Sequence, residues 1–126
     1  MTRVTEQQVL EQLKTICLPL PDTIEKVTYG HPGFATKKGI YAVLEEYSGE
    51  LSLCVKVGLA TQGIFLNDAR FYLTPYIGNR GWISLKIHAA PLDWEEIAEL
   101  VSGSHQLINA GSPKKAAKKR KAAAKK

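Results

Sequence analysis

Residues 51 to 57 alternate without a fault: Leu51, Leu53, Val55 and Val57 are apolar, and Ser52, Cys54 and Lys56 stand between them. Successive side chains of a strand point to opposite faces, so this period of two gives a strand with one face to bury. Such a strand needs partner strands beside it and another layer over its apolar face. The flanking sequence offers both.

Short strands are expected from Thr23 to Ile87. Ile24 to Tyr29 alternates loosely, and Gly30-His31-Pro32-Gly33 is a turn or bulge. Phe34 to Lys37 can pair with Ile40 to Tyr47 across Lys38-Gly39, and Tyr47-Ser48-Gly49-Glu50 turns again. Gly58 to Asp68 reads as a short helical or irregular connection. Phe71 to Ile77 and Trp82 to His88 form a hairpin around Gly78-Asn79-Arg80-Gly81, a loop rich in residues that tolerate positive φ.

Helices bracket these strands. Thr5 and Gln8 fit a capping box, and Val9, Leu10, Leu13, Ile16 and Cys17 follow at helical spacing until Leu18-Pro19-Leu20-Pro21 stops the helix. Asp93 is the expected N-cap of a second helix, with Glu96 three residues on and a Leu92–Ile97 staple. Trp94, Ile97, Ala98 and Val101 mark its buried side. Gly103 ends or weakens this helix, and His105 to Asn109 continues helically. The order helix, antiparallel strands, helix predicts an α+β two-layer sandwich, a meander-like sheet with both helices on one face.

Charge divides the chain in two. The formal net charge is +5, yet residues 111–126 hold eight basic side chains and no acid: Lys114, Lys115, Lys118, Lys119, Arg120, Lys121, Lys125 and Lys126. Residues 1–110 keep nine basic residues against all twelve acids, a net charge of −3. The expected organisation is therefore a folded domain over 1–110 and a disordered Lys/Ala-rich tail over 111–126, since like charges repel and the run has no apolar face to dock. Such a tail can release counterions from DNA or simply act as a solubilising extension. If about five of its charges met phosphates, the log–log salt slope would be about −4 to −5.

Cys17 and Cys54 lack any paired spacing and are expected to be buried or half-buried free thiols. No apolar run approaches the roughly 18 residues of a membrane span, and the polar N-terminus has no secretory core. A cytoplasmic protein is expected, with the nucleoid a compatible location and a monomer favoured.

Three blocks carry a resemblance. Thr28-Tyr29-Gly30-His31-Pro32-Gly33-Phe34 leads into Lys38-Gly39-Ile40-Tyr41-Ala42; then come Pro75-Tyr76-Ile77-Gly78-Asn79-Arg80-Gly81-Trp82-Ile83 and Leu92-Asp93-Trp94-Glu95-Glu96-Ile97. In that order they resemble the MmcQ/YjbR family over about residues 5 to 109, with Tyr29 where the family often has Trp. The resemblance implies a frataxin-like (CyaY-like) fold and a DNA-binding role, and carries no catalytic residues with it.

Candidate contacts follow from the strand pattern. If Ile83, Leu85 and Ile87 face the helices, Trp82, Ser84, Lys86 and His88 face away, as do Ser52 and Lys56, with Tyr41 a further candidate. Cations mixed with rings suit phosphate contact and base stacking; the same face also suits an ordinary solvated sheet whose aromatics stabilise neighbouring strands. Arg80 at the hairpin tip can grip a phosphate, or bond Asp68 or Glu45. Lys37 and Lys38 make a second basic point. The histidines His31, His88 and His105 are scattered outside any metal motif, and His31 is expected to bond local backbone. Glu45-Glu46 and Glu95-Glu96 read as a solvated strand end and a helix start. No catalytic residue, metal site or cofactor is expected.

The sequence thus points to a non-enzymatic protein that binds double-stranded DNA with little sequence preference. The tail would supply affinity, and Lys37, Lys38, Lys56, Arg80, Trp82 and Lys86 would position it. The alternative is a protein-interaction or small-ligand module with an accessory tail. Metal delivery is one version of it, although helix one carries only Glu6 and Glu11 as acids.

Overall fold

The computed structural model of the chain describes residues 4–110. Helix α1 (Glu6–Cys17) starts at the expected capping box: the Gln8 N–H donates to Thr5 Oγ1 at 3.0 Å, and the Thr5 N–H donates to Gln8 Oε1 at 2.8 Å. Five strands and a short helix follow: β1 (Ile24–Thr28), β2 (His31–Thr36), β3 (Gly39–Tyr47), β4 (Glu50–Lys56), α2 (Gln62–Leu66) and β5 (Phe71–Leu73). A single 3₁₀ turn (Gly78–Arg80) leads into β6 (Trp82–Lys86), and α3 (Trp94–Ala110) completes the described chain.

The six strands form one antiparallel sheet in the order β1-β2-β3-β4-β6-β5. The first four are a meander. The last two are exchanged relative to a continuous meander, because β6 takes the place beside β4 and leaves the three-residue β5 at the edge. The turn before β2 is only Tyr29-Gly30, so His31, Pro32 and Gly33 belong to the strand rather than to a longer turn.

Helices α1 and α3 cover one face, giving the expected two layers. Val9, Leu13 and Cys17 of α1 and Ile97, Leu100 and Val101 of α3 are buried against Leu51, Leu53, Val55, Ile83 and Leu85 of the sheet. Each large aliphatic side chain buried this way contributes roughly 1.5–3 kcal/mol. Asp93 caps α3 by accepting the Glu95 and Glu96 N–H groups at 3.0 and 3.2 Å. Glu96 does not return the bond; its carboxylate takes Arg70, whose Nη1 and Nη2 donate at 2.7 and 3.0 Å. Arg70 also holds Asp68 (Nη2 to Oδ2, 2.8 Å), fastening the start of β5 to the first turn of α3. Gly103 does not interrupt α3, which runs through it unbroken.

Tyr41 departs from the simple alternation. Phe34 pairs with Ala42 and the next residue, Ala35, pairs with Ile40, so Tyr41 is an extra residue on β3. This bulge turns its ring to the helix side, because the inserted residue breaks the period of two. There it is 0% exposed, meets the His105 ring edge-on at 5.0 Å, and shares a 2.8 Å hydrogen bond with the Thr23 hydroxyl. Tyr41 therefore does not belong to the outer face.

Candidate functional site: a basic sheet end and an apolar cleft

The turn between β2 and β3 consists of Lys37 and Lys38, both exposed. It is held by Thr36, whose Oγ1 accepts the Lys38 N–H at 3.2 Å and donates to Asn109 Oδ1 at 3.0 Å. Asn109 in turn donates to the His105 carbonyl at 2.7 Å. The last turn of α3 is thus fastened beside the two lysines, and the chain passes from Ala110 into its basic run at that place. Lys114, Lys115, Lys118, Lys119, Arg120, Lys121, Lys125 and Lys126 lie outside the described residues.

Other cations share this end of the sheet. Lys56 closes β4 opposite Trp82, half-buried, with its N–H donating to Ser104 Oγ at 2.9 Å. Arg80 sits in the 3₁₀ turn just before β6 rather than at a hairpin tip, and is exposed. Among the described residues it forms no ion pair; Asp68 is bonded to Arg70. Lys86 pairs with Ser52 nearer the opposite end of the sheet and is half-buried. Lys37, Lys38, Lys56 and Arg80 are therefore brought to one end, and Lys86 is not.

The outer face is not the open, ring-bearing surface that alternation suggests. Trp82 is only 5% exposed, buried with Val43 and Cys54 under Ile40, Ile77 and Ile108. Segment 74–77, which leaves the short β5, folds back over this face. Beneath it runs a line of polar bonds: Thr74 to Ser84 at 3.0 Å, Ser84 to Cys54 at 3.3 Å, and the Cys54 thiol donating to Glu45 Oε1 at 3.3 Å. Ser52 and Ser84 are fully buried, and Ser52 is bonded to the Tyr72 hydroxyl at 2.8 Å.

Burial keeps both thiols in their protonated form. Burial pushes Cys54 up to about 12 against the lowering bond from Ser84, and burial pushes Cys17 up to about 12 as well. Both are free and stay protonated at neutral pH. The histidines serve separate purposes. His105 bonds the Pro21 carbonyl and His88 the Val4 carbonyl, each at 2.8 Å. His31 faces Glu45 across the strands at 3.8 Å instead of bonding its own turn. Among the described residues no group of three or more His, Cys, Asp or Glu is placed to hold a metal ion.

Segment 74–77 and the Tyr29 turn bound a cleft of about 430 Å³ on the outer face. Ile40, Val43 and Trp82 line it with Tyr29, Tyr47 and Tyr76. Tyr29 and Tyr76 have φ of 51° and 68°, a left-handed backbone uncommon for bulky residues, and are 96% and 93% exposed. Sequence reasoning missed this cleft, because Pro75-Tyr76 reads as strand until β5 is seen to stop at Leu73.

Comparisons with known proteins agree with this architecture. A Deinococcus radiodurans protein with a DUF419 domain matches with a TM-score of 0.69 at 18% identity, covering 85% of this chain and 83% of that one. A Pseudomonas syringae protein matches at 0.66 and 18% identity over 83% of this chain and 99% of its own. A Bacillus subtilis protein of the DUF1801 family matches at 0.53 and 13% identity, covering 85% and 81%. At these identities the likeness is one of fold. No curated protein matches the chain. The YjbR family model matches residues 18–107, most of the chain and all six strands of the sheet. The chain belongs to the YjbR family.

Proposed function

We propose that this protein binds double-stranded DNA with low sequence specificity, through the basic end of its sheet together with residues 111–126. The observation that carries the proposal is the placement of Lys37 and Lys38 beside Asn109, from which the chain enters eight further basic residues. Cations gathered around one point of departure can engage neighbouring phosphates together, and each phosphate neutralised adds about 0.9 to the salt dependence on duplex DNA. Lys56 and Arg80 extend the same end. Trp82, buried, has no ring to offer a base, and Lys86 lies away from the cluster, so the outer face takes no part. The body's net charge of −3 keeps the contact local to this end.

Fluorescence anisotropy with a labelled duplex tests the reading. Wild type is expected to bind with a steep loss of affinity as salt rises. Lys37→Ala/Lys38→Ala should flatten the log–log slope by about two. A full-length protein that fails to bind duplex at low salt would overturn the proposal.

A further inference from the structure

We propose that the cleft on the outer face binds a small organic cation, a protonated or quaternary amine carried on an apolar body. This is a second binding function and does not depend on DNA contact at the sheet end.

The lining sets the ligand's chemistry. Tyr29, Tyr47 and Tyr76 offer three aromatic rings over a floor that includes the buried Trp82, while Glu45 and Glu46 offer two carboxylates. Among the described residues no lysine or arginine lines the cleft, and His31 is its one basic side chain. Aromatic faces carry partial negative charge and attract cations, most strongly where water is excluded. A neutral apolar ligand would cover Glu45 without compensating its charge, and an anion would meet both carboxylates. Glu45 retains capacity: one oxygen accepts the Cys54 thiol, and the other stands 3.8 Å from His31, beyond hydrogen-bond length.

Size and preorganisation agree. About 430 Å³ lies in the usual range for a small-molecule pocket. Tyr29 takes its positive φ from the two-residue turn between β1 and β2, whereas Tyr76 is held in left-handed backbone outside any hairpin turn, and both side chains are almost wholly exposed. A bulky residue held in left-handed backbone at the rim of a cavity, as Tyr76 is, is a feature found at ligand clamps. Thr28, also in the lining, has the one buried side-chain oxygen or nitrogen among the described residues that lacks a partner.

The test is calorimetric titration of the full-length protein with benzyltrimethylammonium, beside benzyl alcohol as neutral analogue and phenylacetate as anionic analogue. The cation is expected to bind saturably and at least about tenfold more tightly than either analogue. Glu45→Gln and Tyr76→Ala should each weaken it about tenfold while the far-UV spectrum stays unchanged. Tyr76→Ala, at an exposed site, keeps the test decisive if Glu45→Gln perturbs the fold through Cys54. Equal binding of all three probes, no saturable binding at millimolar cation, or wild-type affinity in Tyr76→Ala would overturn the proposal.

Discussion

Thr36 donates its hydroxyl proton to Asn109 Oδ1 at 3.0 Å, joining residues 73 positions apart in sequence. The same oxygen accepts the Lys38 N–H. One side chain therefore shapes the lysine turn and anchors the end of α3. Thr36→Val keeps the shape of the side chain and removes both bonds. It should cost about 1–2 kcal/mol in urea unfolding. Amide exchange should rise first in the last turn of α3.

Gly103 lies inside α3, where a Cβ would meet nothing within 4 Å. Replacing it with alanine removes a conformational cost without adding a clash. Gly103→Ala is expected to stabilise the fold by about 1 kcal/mol, read as a higher urea midpoint with an unchanged m-value.

Gly81 is the opposite case. Its φ is 92°, and an added Cβ would stand 2.8 Å from the Gly58 Cα, backbone against backbone. Its carbonyl also accepts the N–H groups of Val57 and Gly58. Gly81→Ala should therefore destabilise by about 2–4 kcal/mol, lowering the thermal midpoint.

The Asp68–Arg70 contact makes a prediction about acid. Hydrogen bonds from Arg70 hold the Asp68 carboxyl below its ordinary 3.8. A depressed folded-state value means the stabilisation is fully present above 3.8 and is lost as pH falls through the lower folded value. Stability measured from pH 6 down to pH 2 should fall more steeply below about 4 in wild type than in Asp68→Asn. Identical profiles would show that the contact adds nothing.

Local chemistry made much of this fold legible. Thr5 and Gln8, Asp93, and the alternation of Leu51 to Val57 each act through neighbours in sequence, and each behaves as that chemistry dictates. What depends on distant partners was hidden. Nothing near Trp82 reveals that residues 74–77 will bury it. A hairpin signal pairs β5 with β6 but does not say which of them sits beside β4. Arg70 stands two residues from Asp68, yet its other partner, Glu96, is visible only once α3 is docked. Within the candidate sites, the exposure of Lys37 and Lys38 follows from their turn, whereas their neighbourhood to residue 109 is a product of the tertiary fold.

The extra residue at Tyr41 also bears on how this sheet tolerates change. Gly39 and Ile40 stand out of step with Val43 and Leu44 by one position, and the bulge absorbs the offset. Deleting Tyr41 would restore regular alternation along β3 with Ile40 still on the outer face, but would take away the ring that meets His105 and bonds Thr23. An added residue would have no such outlet and would shift the lysine turn by one position against Asn109. The length of β3, as much as its composition, is therefore under structural constraint.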